Sequence, residues 1–177
     1  MEQEVYDLRE TINNPNPLVR LFFKWKFRIC INIAKLKKED LILDFGCGGK
    51  YLKRILPNYN VVSYDYNPEF TEIKDYKTIK PTKIFAIDVF EHLTEEKIIE
   101  TIKDFKSMNE NFSIITAIPN ENWFWRFSRK CLGLKPYVKD HITNIKDIVK
   151  ILDKELVYNK KINFFLVSHI YKYNSKK

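Results

Sequence analysis

The stretch LILDFGCGGKYL, residues 41–52, contains three of the four glycines in a chain of 177 residues. Its first half, LILDF, has the length and the bulky apolar content of a buried β-strand. Glycine tolerates positive φ and lets a ligand approach the backbone closely, so glycines directly after a buried strand favour a binding loop. The stretch therefore predicts a strand, a ligand loop over residues 46–49 and, from KYLKRIL, a helix that ends before Pro57.

Short apolar strands and helices alternate through the rest of the chain. Further strands are predicted at NVVSYDY (60–66), KIFAIDVF (83–90), FSIITAI (112–118) and INFFLVSHIYKY (162–173), with an optional short strand near 156–159. A helix between two short apolar strands is a βαβ unit, so the pattern predicts a doubly wound α/β domain with a mostly parallel sheet. Residues 66–82 are too few for a full helix, a strand and their loops, which predicts a shortened middle region.

Capping residues and apolar spacing predict the main helices. TEEKIIETIKDFKSM begins with Thr94 as its N-cap, and NIKDIVKILDKEL is predicted to follow a Thr143 cap. Residues 1–12 are predicted to form an arm or a short helix. A longer helix over residues 18–36 is predicted to carry a basic stripe on one face, formed by Arg20, Lys24 and Arg28.

Composition argues against secretion and against a membrane span. The three cysteines are odd in number and far apart, which disfavours a disulfide framework or a CxxC metal knuckle. No stretch approaches the roughly 18 uncharged apolar residues of a membrane span, and Met1 is followed by acidic and polar residues. We therefore expect a single cytoplasmic domain over residues 1–177, with residues 1–38 as an N-terminal helical extension.

The formal net charge of +8 is concentrated in two aromatic segments. Residues 11–38 carry seven Lys or Arg and no acid, and residues 122–139 carry five and no acid. Core packing of the aromatic rings with the cations reaching outward would explain both segments. So would contact with an anionic membrane surface, or stacking on single-stranded RNA. Composition alone leaves these three interpretations open.

The flanks of the glycine loop disfavour two nucleotide-binding motifs. A P-loop needs Gly-Lys followed by Ser or Thr, whereas Tyr51 follows Lys50 here. A dinucleotide fingerprint needs G-x-G-x-x-G, and Tyr51 also occupies the position of its last glycine. ATP bound through a P-loop and NAD are therefore not expected.

Several motifs in a fixed order resemble class I S-adenosylmethionine-dependent methyltransferases, particularly the small-molecule type with EHL and PN signatures. They are LDFGCGGKYL, an acid at Asp65 that ends the second strand, IDVFEHL at the end of the next, and AIPN, within residues 41–155. The resemblance implies a Rossmann-like, three-layer αβα fold with an antiparallel last strand. It also implies S-adenosyl-L-methionine (SAM) as the cofactor and an insertion at residues 120–140 that covers the acceptor pocket.

The resemblance places the cofactor residues at the carboxyl ends of the first three strands. Asp44, just before the glycines, suits the ammonium group of the methionine tail, and Asp65 suits the two ribose hydroxyls. Tyr66 is expected against the adenine ring, and Asp88 beside the methionine part. The complete set of expected cofactor residues is Asp44, Gly46, Cys47, Gly48, Asp65, Tyr66 and Asp88.

Two positions depart from the family pattern. Lys50 stands where the family usually has a further glycine, and Asp75 is the only substitute for the acid that normally meets the adenine amine. Both departures concern cofactor affinity and adenine contacts more than the fold.

Two histidines are the candidate catalytic residues. Methyl transfer is an in-line displacement, so positioning supplies much of the rate, and a base is needed only where the acceptor loses a proton. His92 and His141 are candidate bases because histidine titrates near neutrality, and a purely structural role is an equal alternative for each. Asp88, Glu91 and His92 resemble the acid-x-x-Glu-His cluster of metal-binding quinone-pathway O-methyltransferases. With no further ligand visible in the sequence, we expect no metal.

The sequence thus predicts an SAM-dependent methyltransferase for a small acceptor of hydrophobic or lipidic character. N6-methylation of bases is disfavoured because DVFEHL is not a [DN]PP[YFW] motif, and cytosine C5 chemistry because Cys131 does not follow a proline. An RNA methyltransferase and a non-catalytic binding subunit with this fold are the alternatives. The expected partners are a small-molecule acceptor and, peripherally, an anionic membrane surface.

Overall fold

The computed structural model describes residues 14–132 and 140–176, so the predicted arm over residues 1–12 lies outside the described residues. No helix in these ranges combines the length and the apolar character required to cross a bilayer. The strands are β1 (Leu41–Phe45), β2 (Asn60–Tyr64), β3 (Lys83–Ile87), β4 (Ser113–Pro119), β5 (Val157–Phe164) and β6 (Ser168–Asn174). The helices are α1 (Pro17–Ala34), α2 (Tyr51–Ile55), α3 (Glu95–Met108), α4 (Trp123–Cys131) and α5 (Ile145–Glu155), with 3-10 turns at Tyr76–Thr78 and Phe90–His92.

The six strands form one sheet in the order β2-β1-β3-β4-β6-β5. The first four are parallel to their neighbours, whereas β6 is antiparallel to both β4 and β5. This confirms the predicted doubly wound, mostly parallel sheet with an antiparallel last strand. Because β2 and β3 lie on opposite sides of β1, the winding reverses between β1 and β3, and a crevice opens beyond their carboxyl ends.

Helices cover both faces of the sheet, which confirms the three-layer arrangement. On one face, α3 and α5 bury Ile98, Phe105 and Leu152. On the other face, α1 and α2 bury Phe27 and Leu52. Each large apolar side chain that is fully buried contributes about 1.5–3 kcal/mol. The aromatic helix α1 is therefore a packed layer of the domain and not a loosely attached arm.

The connection between β2 and β3 is short, as predicted. Residues 66–82 contain no strand, and their one helical element is the 3-10 turn Tyr76–Thr78. The buried Tyr76 donates its hydroxyl hydrogen to the Asp104 carboxylate at 2.6 Å, which anchors this turn to α3. Asp75, the acid considered for the adenine amine, caps the turn by accepting a backbone N–H at 2.9 Å. With no further strand in this connection, β2 forms one edge of the sheet.

The segment predicted as one long strand over residues 162–173 is instead part of a hairpin, so that prediction was wrong. The chain turns at Phe165 and Leu166, whose φ angles are 48° and 60°. The Val167 N–H donates to the Phe164 carbonyl at 3.1 Å and closes the turn. A turn whose two central residues both have positive φ normally uses Asn or Gly there. The apolar residues at this turn therefore carried no signal for it.

One of the two predicted helix caps is confirmed. The Thr94 side chain accepts a backbone N–H of the first turn of α3. The prediction for Thr143 was wrong, because Asn144 caps α5 by accepting two backbone N–H groups. Thr143 is buried, and its hydroxyl donates to the Leu93 carbonyl instead. Its polar group fastens the chain that leads into α5.

Candidate active site

A cavity of about 870 Å³ opens at the carboxyl ends of the parallel strands. Ligand pockets usually enclose roughly 300–1,000 Å³, so this one can hold a cofactor and part of a second molecule. Its walls come from the glycine loop, the turn after β3, and parts of α1, α4 and the β5–β6 turn. Most of the site residues expected from the sequence line it, namely Gly46, Gly48, Asp65, Tyr66, Asp88, His92 and His141.

The glycine loop has a backbone conformation that favours glycine. Gly46 and Gly48 have φ angles of 72° and 46°. A Cβ atom on Gly46 would lie 2.5 Å from Cγ2 of Val89, which is far inside van der Waals contact. The Gly46 N–H donates to the Tyr64 carbonyl at 2.8 Å and ties the loop to the end of β2. Lys50, which replaces a glycine of the family pattern, is also left-handed with φ of 57°.

Asp65 lies directly beyond β2 and supports the glycine loop. Its carboxylate accepts the Gly48 N–H at 2.8 Å and the Asn67 N–H at 2.9 Å. An ionised carboxylate can accept about four hydrogen bonds, so acceptor capacity is left at the cavity wall. The neighbouring Tyr66 is 58% exposed and lines the same wall. This pairing of a hydrogen-bond acceptor with an aromatic ring suits a ligand that carries hydroxyls and a flat ring.

Asp44 and Cys47 lie behind the loop and do not line the cavity. Asp44 is 5% exposed, and its Oδ2 has no hydrogen-bond partner within the described residues. Burial, followed by repulsion from Asp65, raises the pKa of Asp44 to about 7. The Cys47 Sγ lies 3.4 Å from the Phe70 carbonyl oxygen, and burial raises the pKa of this thiol. A raised pKa disfavours a reactive thiolate.

A lysine of α1 reaches the site, which the sequence did not predict. Lys26 is 3% exposed and forms an ion pair with Asp88. Its Nζ lies 4.5 Å from the centre of the Phe23 ring. It stands two residues beyond Lys24 of the basic stripe, and two residues turn a helix by about 200°. Lys26 therefore lies on the buried face. Its offset from the spacing of the stripe was the available signal.

His92 and His141 meet at the cavity wall, although they are distant in sequence. Their ring centres are 4.9 Å apart in an edge-to-face arrangement. The Nδ1 of His92 lies 3.2 Å from the Asp140 carbonyl oxygen, and the Nδ1 of His141 contacts the Glu121 carboxylate. Neither Nε2 has a hydrogen-bond partner among the residues described. Burial, followed by the charge of His141, lowers the pKa of His92, which favours its neutral, proton-accepting form.

Glu91 is a buried carboxyl group beside these histidines. It is 2% exposed, and neither side-chain oxygen has a hydrogen-bond partner in the described part of the chain. Burial, followed by repulsion from a neighbouring carboxylate, raises its pKa well above the ordinary value. Its backbone carbonyl accepts the N–H groups of Ile142 and Thr143 at 2.7 and 3.2 Å. One ligand atom each from Glu91, His92 and His141 lie within 4.8 Å of one another. The sequence had grouped Glu91 and His92 with Asp88, but it did not predict the approach of His141.

The far end of the cavity is apolar. The side chains of Asn120 and Asn122 donate to the Leu166 carbonyl at 3.2 and 2.8 Å, which ties the start of α4 to the β5–β6 turn. The apolar lining at this end favours an apolar ligand over a strongly hydrated one. The predicted insertion over residues 120–140 is described up to residue 132 and again from residue 140. Apolar residues that line this end are Phe22, Phe124, Trp125, Leu132, Ile142 and Phe165.

No protein-family model matches the sequence, and no curated protein matches it either. Solved structures do match over nearly the whole chain. An SAM-dependent methyltransferase from Aquifex aeolicus has a TM-score of 0.69 at 12% identity, covering 93% of this chain and 97% of that chain. The N-methyltransferase NodS from Bradyrhizobium japonicum WM9, in complex with S-adenosyl-L-homocysteine (SAH), has a TM-score of 0.66 at 12% identity, with coverages of 96% and 97%.

A third match is the magnesium protoporphyrin IX methyltransferase ChlM from Synechocystis PCC 6803 with bound SAH. It has a TM-score of 0.60 at 16% identity, covering 99% of this chain and 90% of that chain. At such low identities the likeness concerns the fold. The chain therefore has the class I fold of SAM-dependent methyltransferases, as the glycine loop and the acids at the strand ends predicted.

Proposed function

We propose that this chain is an SAM-dependent methyltransferase that acts on a small hydrophobic or lipidic acceptor. The observation that carries the proposal is the position of Asp65. This carboxylate is held against the glycine loop by the Gly48 N–H, lies beyond the end of β2, and lines an open cavity at the point where the strand order reverses. In this fold, that is where a ligand with ribose hydroxyls would find an acceptor.

The nucleoside part of SAM fits the groups at one end of the cavity. Asp65 keeps acceptor capacity for the two ribose hydroxyls, since protein N–H groups use only part of it. Tyr66 offers an exposed ring for stacking on adenine. The backbone of Gly46 and Gly48 leaves space that side chains would fill.

The methionine part of SAM carries an ammonium and a carboxylate, and one ion pair in the wall matches both. Lys26 suits the carboxylate, and Asp88 suits the ammonium. Asp44 lies behind the loop, so in this proposal it supports the loop and does not touch the cofactor. Binding would thus exchange the contact between Lys26 and Asp88 for contacts with the ligand.

SAM supplies an electrophilic methyl group on a sulfonium, which an acceptor nucleophile displaces in line. The apolar walls exclude water and orient the acceptor, which accounts for much of the rate in such a displacement. His92 and His141 each have an Nε2 without a protein partner among the described residues. Either can take the proton that an acceptor hydroxyl or amine loses. The Glu121 carboxylate would stabilise a charged His141.

Exposed apolar and basic residues lie on α1, α4 and the β5–β6 turn, which also line the cavity, and we refer to them as the rim. Its apolar members are Leu18, Leu21 and Trp25 of α1, Trp123 and Phe127 of α4, and Phe165 and Leu166 of the hairpin turn. The rings of Trp25 and Phe165 lie 5.0 Å apart, so α1 and the turn form one surface. Lys24, Arg28 and Lys130 are exposed on the same helices. Aromatic residues mixed with cations suit an anionic lipid surface, from which an apolar acceptor can enter.

Vesicle binding tests the role of the rim. Vesicles that contain phosphatidylserine should bind the protein, and vesicles of phosphatidylcholine alone should bind it weakly. The double variant Trp123→Ala/Phe127→Ala should weaken binding, whereas Val157→Ala, which removes an exposed apolar side chain outside the rim, should not. Steeply salt-dependent binding to single-stranded RNA without vesicle binding would favour the RNA alternative instead.

Transfer of a labelled methyl group tests the activity. The protein would be incubated with labelled SAM and apolar phenols, amines and lipid extracts, with single-stranded RNA in a parallel reaction. Label in the organic phase supports the proposal, and label in RNA supports the alternative. A protein that binds neither SAM nor SAH would be a binding subunit with the methyltransferase fold.

A further inference from the structure

Glu91 has a buried carboxyl group whose polar atoms are unsatisfied within the described residues. Both side-chain oxygens are shielded from solvent and accept no hydrogen bond there. The nearby cation, Lys26, forms its ion pair with Asp88. Burying a carboxyl group without a hydrogen-bond partner is unfavourable, so some compensating interaction is expected at this position.

The two histidines beside Glu91 have the orientation of metal ligands. Histidines that bind a metal through one ring nitrogen usually donate the other N–H to a carboxylate or a backbone carbonyl. His92 has its Nδ1 at the Asp140 carbonyl, and His141 has its Nδ1 at the Glu121 carboxylate. Both rings therefore have outer partners of the two usual kinds, and each keeps Nε2 for a ligand.

We propose that Glu91, His92 and His141 form a binding site for a divalent transition-metal ion such as Zn²⁺. Their ligand atoms already lie within 4.8 Å of one another. Bonds of about 2.1 Å in tetrahedral geometry place ligand atoms about 3.4 Å apart, so closure needs movements of about 1 Å. Two imidazoles with one carboxylate favour zinc, iron or manganese over calcium or magnesium, which prefer oxygen ligands.

The surrounding charges also favour a divalent cation. Asp88 and Glu121 both repel an ionised Glu91, and Lys26, the nearby cation, forms its ion pair with Asp88. A divalent ion would balance the excess negative charge of the ionised forms. All three ligand residues line the cavity, so coordination positions left open by the protein face the proposed acceptor. There the ion would hold an acceptor oxygen or nitrogen and lower its pKa. With the ion bound, neither Nε2 could accept a proton, so the ion would take over the role proposed above for His92 and His141 as bases.

Cobalt titration of metal-depleted protein tests the site, since Co²⁺ replaces Zn²⁺ and its visible absorption reports the ligands. We expect one equivalent of Co²⁺ with the spectrum of nitrogen and oxygen ligands, and displacement by Zn²⁺. Glu91→Gln and His141→Gln should each weaken binding at least tenfold. Glu121→Ala, which removes an outer partner, should weaken it roughly 10–100-fold. His169→Gln is the matched control, since His169 contacts Asn120 and Tyr171 outside the site.

The variants must remain folded for the comparison, which thermal unfolding without metal would verify. Glu91→Gln should keep or raise the stability then, because it replaces a buried ionisable group with a neutral one. No Co²⁺ or Zn²⁺ binding by the native protein would overturn the proposal. So would binding that Glu91→Gln and His141→Gln leave unchanged. The site itself does not depend on the proposed methyl transfer, although its role toward the acceptor does, so SAH binding measured in parallel separates the two.

Discussion

Replacing Gly46 with alanine is the change whose cost the structure defines best. Gly46 has φ of 72°, and its added Cβ would lie 2.5 Å from Cγ2 and 3.1 Å from Cγ1 of Val89. The left-handed conformation costs an alanine about 1–2 kcal/mol. Relieving the clash in a packed region costs about 1–3 kcal/mol more. We therefore expect Gly46→Ala to lower the free energy of unfolding by several kcal/mol, of which the larger part comes from contact with one side chain.

A double-mutant cycle with Val89→Ala separates the two causes. Val89→Ala alone should cost about 1–2 kcal/mol, because it removes two buried methyl groups. The double variant should lack the clash, so its cost should fall short of the sum of the single costs by about 1–3 kcal/mol. Urea unfolding followed by circular dichroism measures all four proteins. In thermal scans, each kcal/mol corresponds to about 2–4 °C for a chain of this length. Costs that add within about 0.5 kcal/mol would refute the steric argument.

Three further substitutions test the charges and the backbone. Lys26→Met should lower the free energy of unfolding by about 3 kcal/mol because it leaves Asp88 without its buried partner, and Lys26→Met/Asp88→Asn should recover most of this in urea unfolding. Asp44 has a pKa of about 7 in the folded protein against 3.8 ordinarily, because burial favours its protonated form. Its contribution to the free energy of unfolding is therefore complete below pH 4 and is lost as the pH rises through 7. Asp44→Asn should therefore remove a decline on the order of 4 kcal/mol between pH 4 and 8, and an unchanged pH profile would contradict the burial argument. Lys35→Gly should raise the free energy of unfolding by about 1 kcal/mol, because exposed Lys35 ends α1 with a φ of 51°, which glycine adopts without strain. A loss of stability would show that the Lys35 side chain matters instead.

The fold was predictable because its determinants are local. A buried strand followed by glycines, and acids at Asp65 and Asp88 where strands end, place a binding site by chain order alone. The shortened connection after β2 followed from counting residues. The hairpin turn at Phe165 and Leu166 was not predictable, because its left-handed residues are apolar where Asn or Gly is usual.

The side of the candidate site that contains Lys26 and the two histidines depends on long-range packing, which the spacing of residues in the sequence does not reveal. Lys26 was not singled out from the sequence, although the fold buries it against Asp88. His141 was predicted as a candidate base, but its approach to Glu91 and His92 depends on backbone hydrogen bonds to the Glu91 carbonyl. Such groupings arise only once the turn after β3 and the segment before α5 are in contact.

Isothermal titration with SAH tests the central claim, that this fold holds the cofactor against Asp65. We expect the native protein to bind SAH with a micromolar Kd. Asp65→Ala should weaken binding about 100-fold or more, because two charge-assisted hydrogen bonds to ribose contribute about 3 kcal/mol together. Glu69→Ala, which removes an exposed acid in the same segment, should bind like the native protein. Equal affinities for native protein and Asp65→Ala, or no binding by the native protein, would contradict the account.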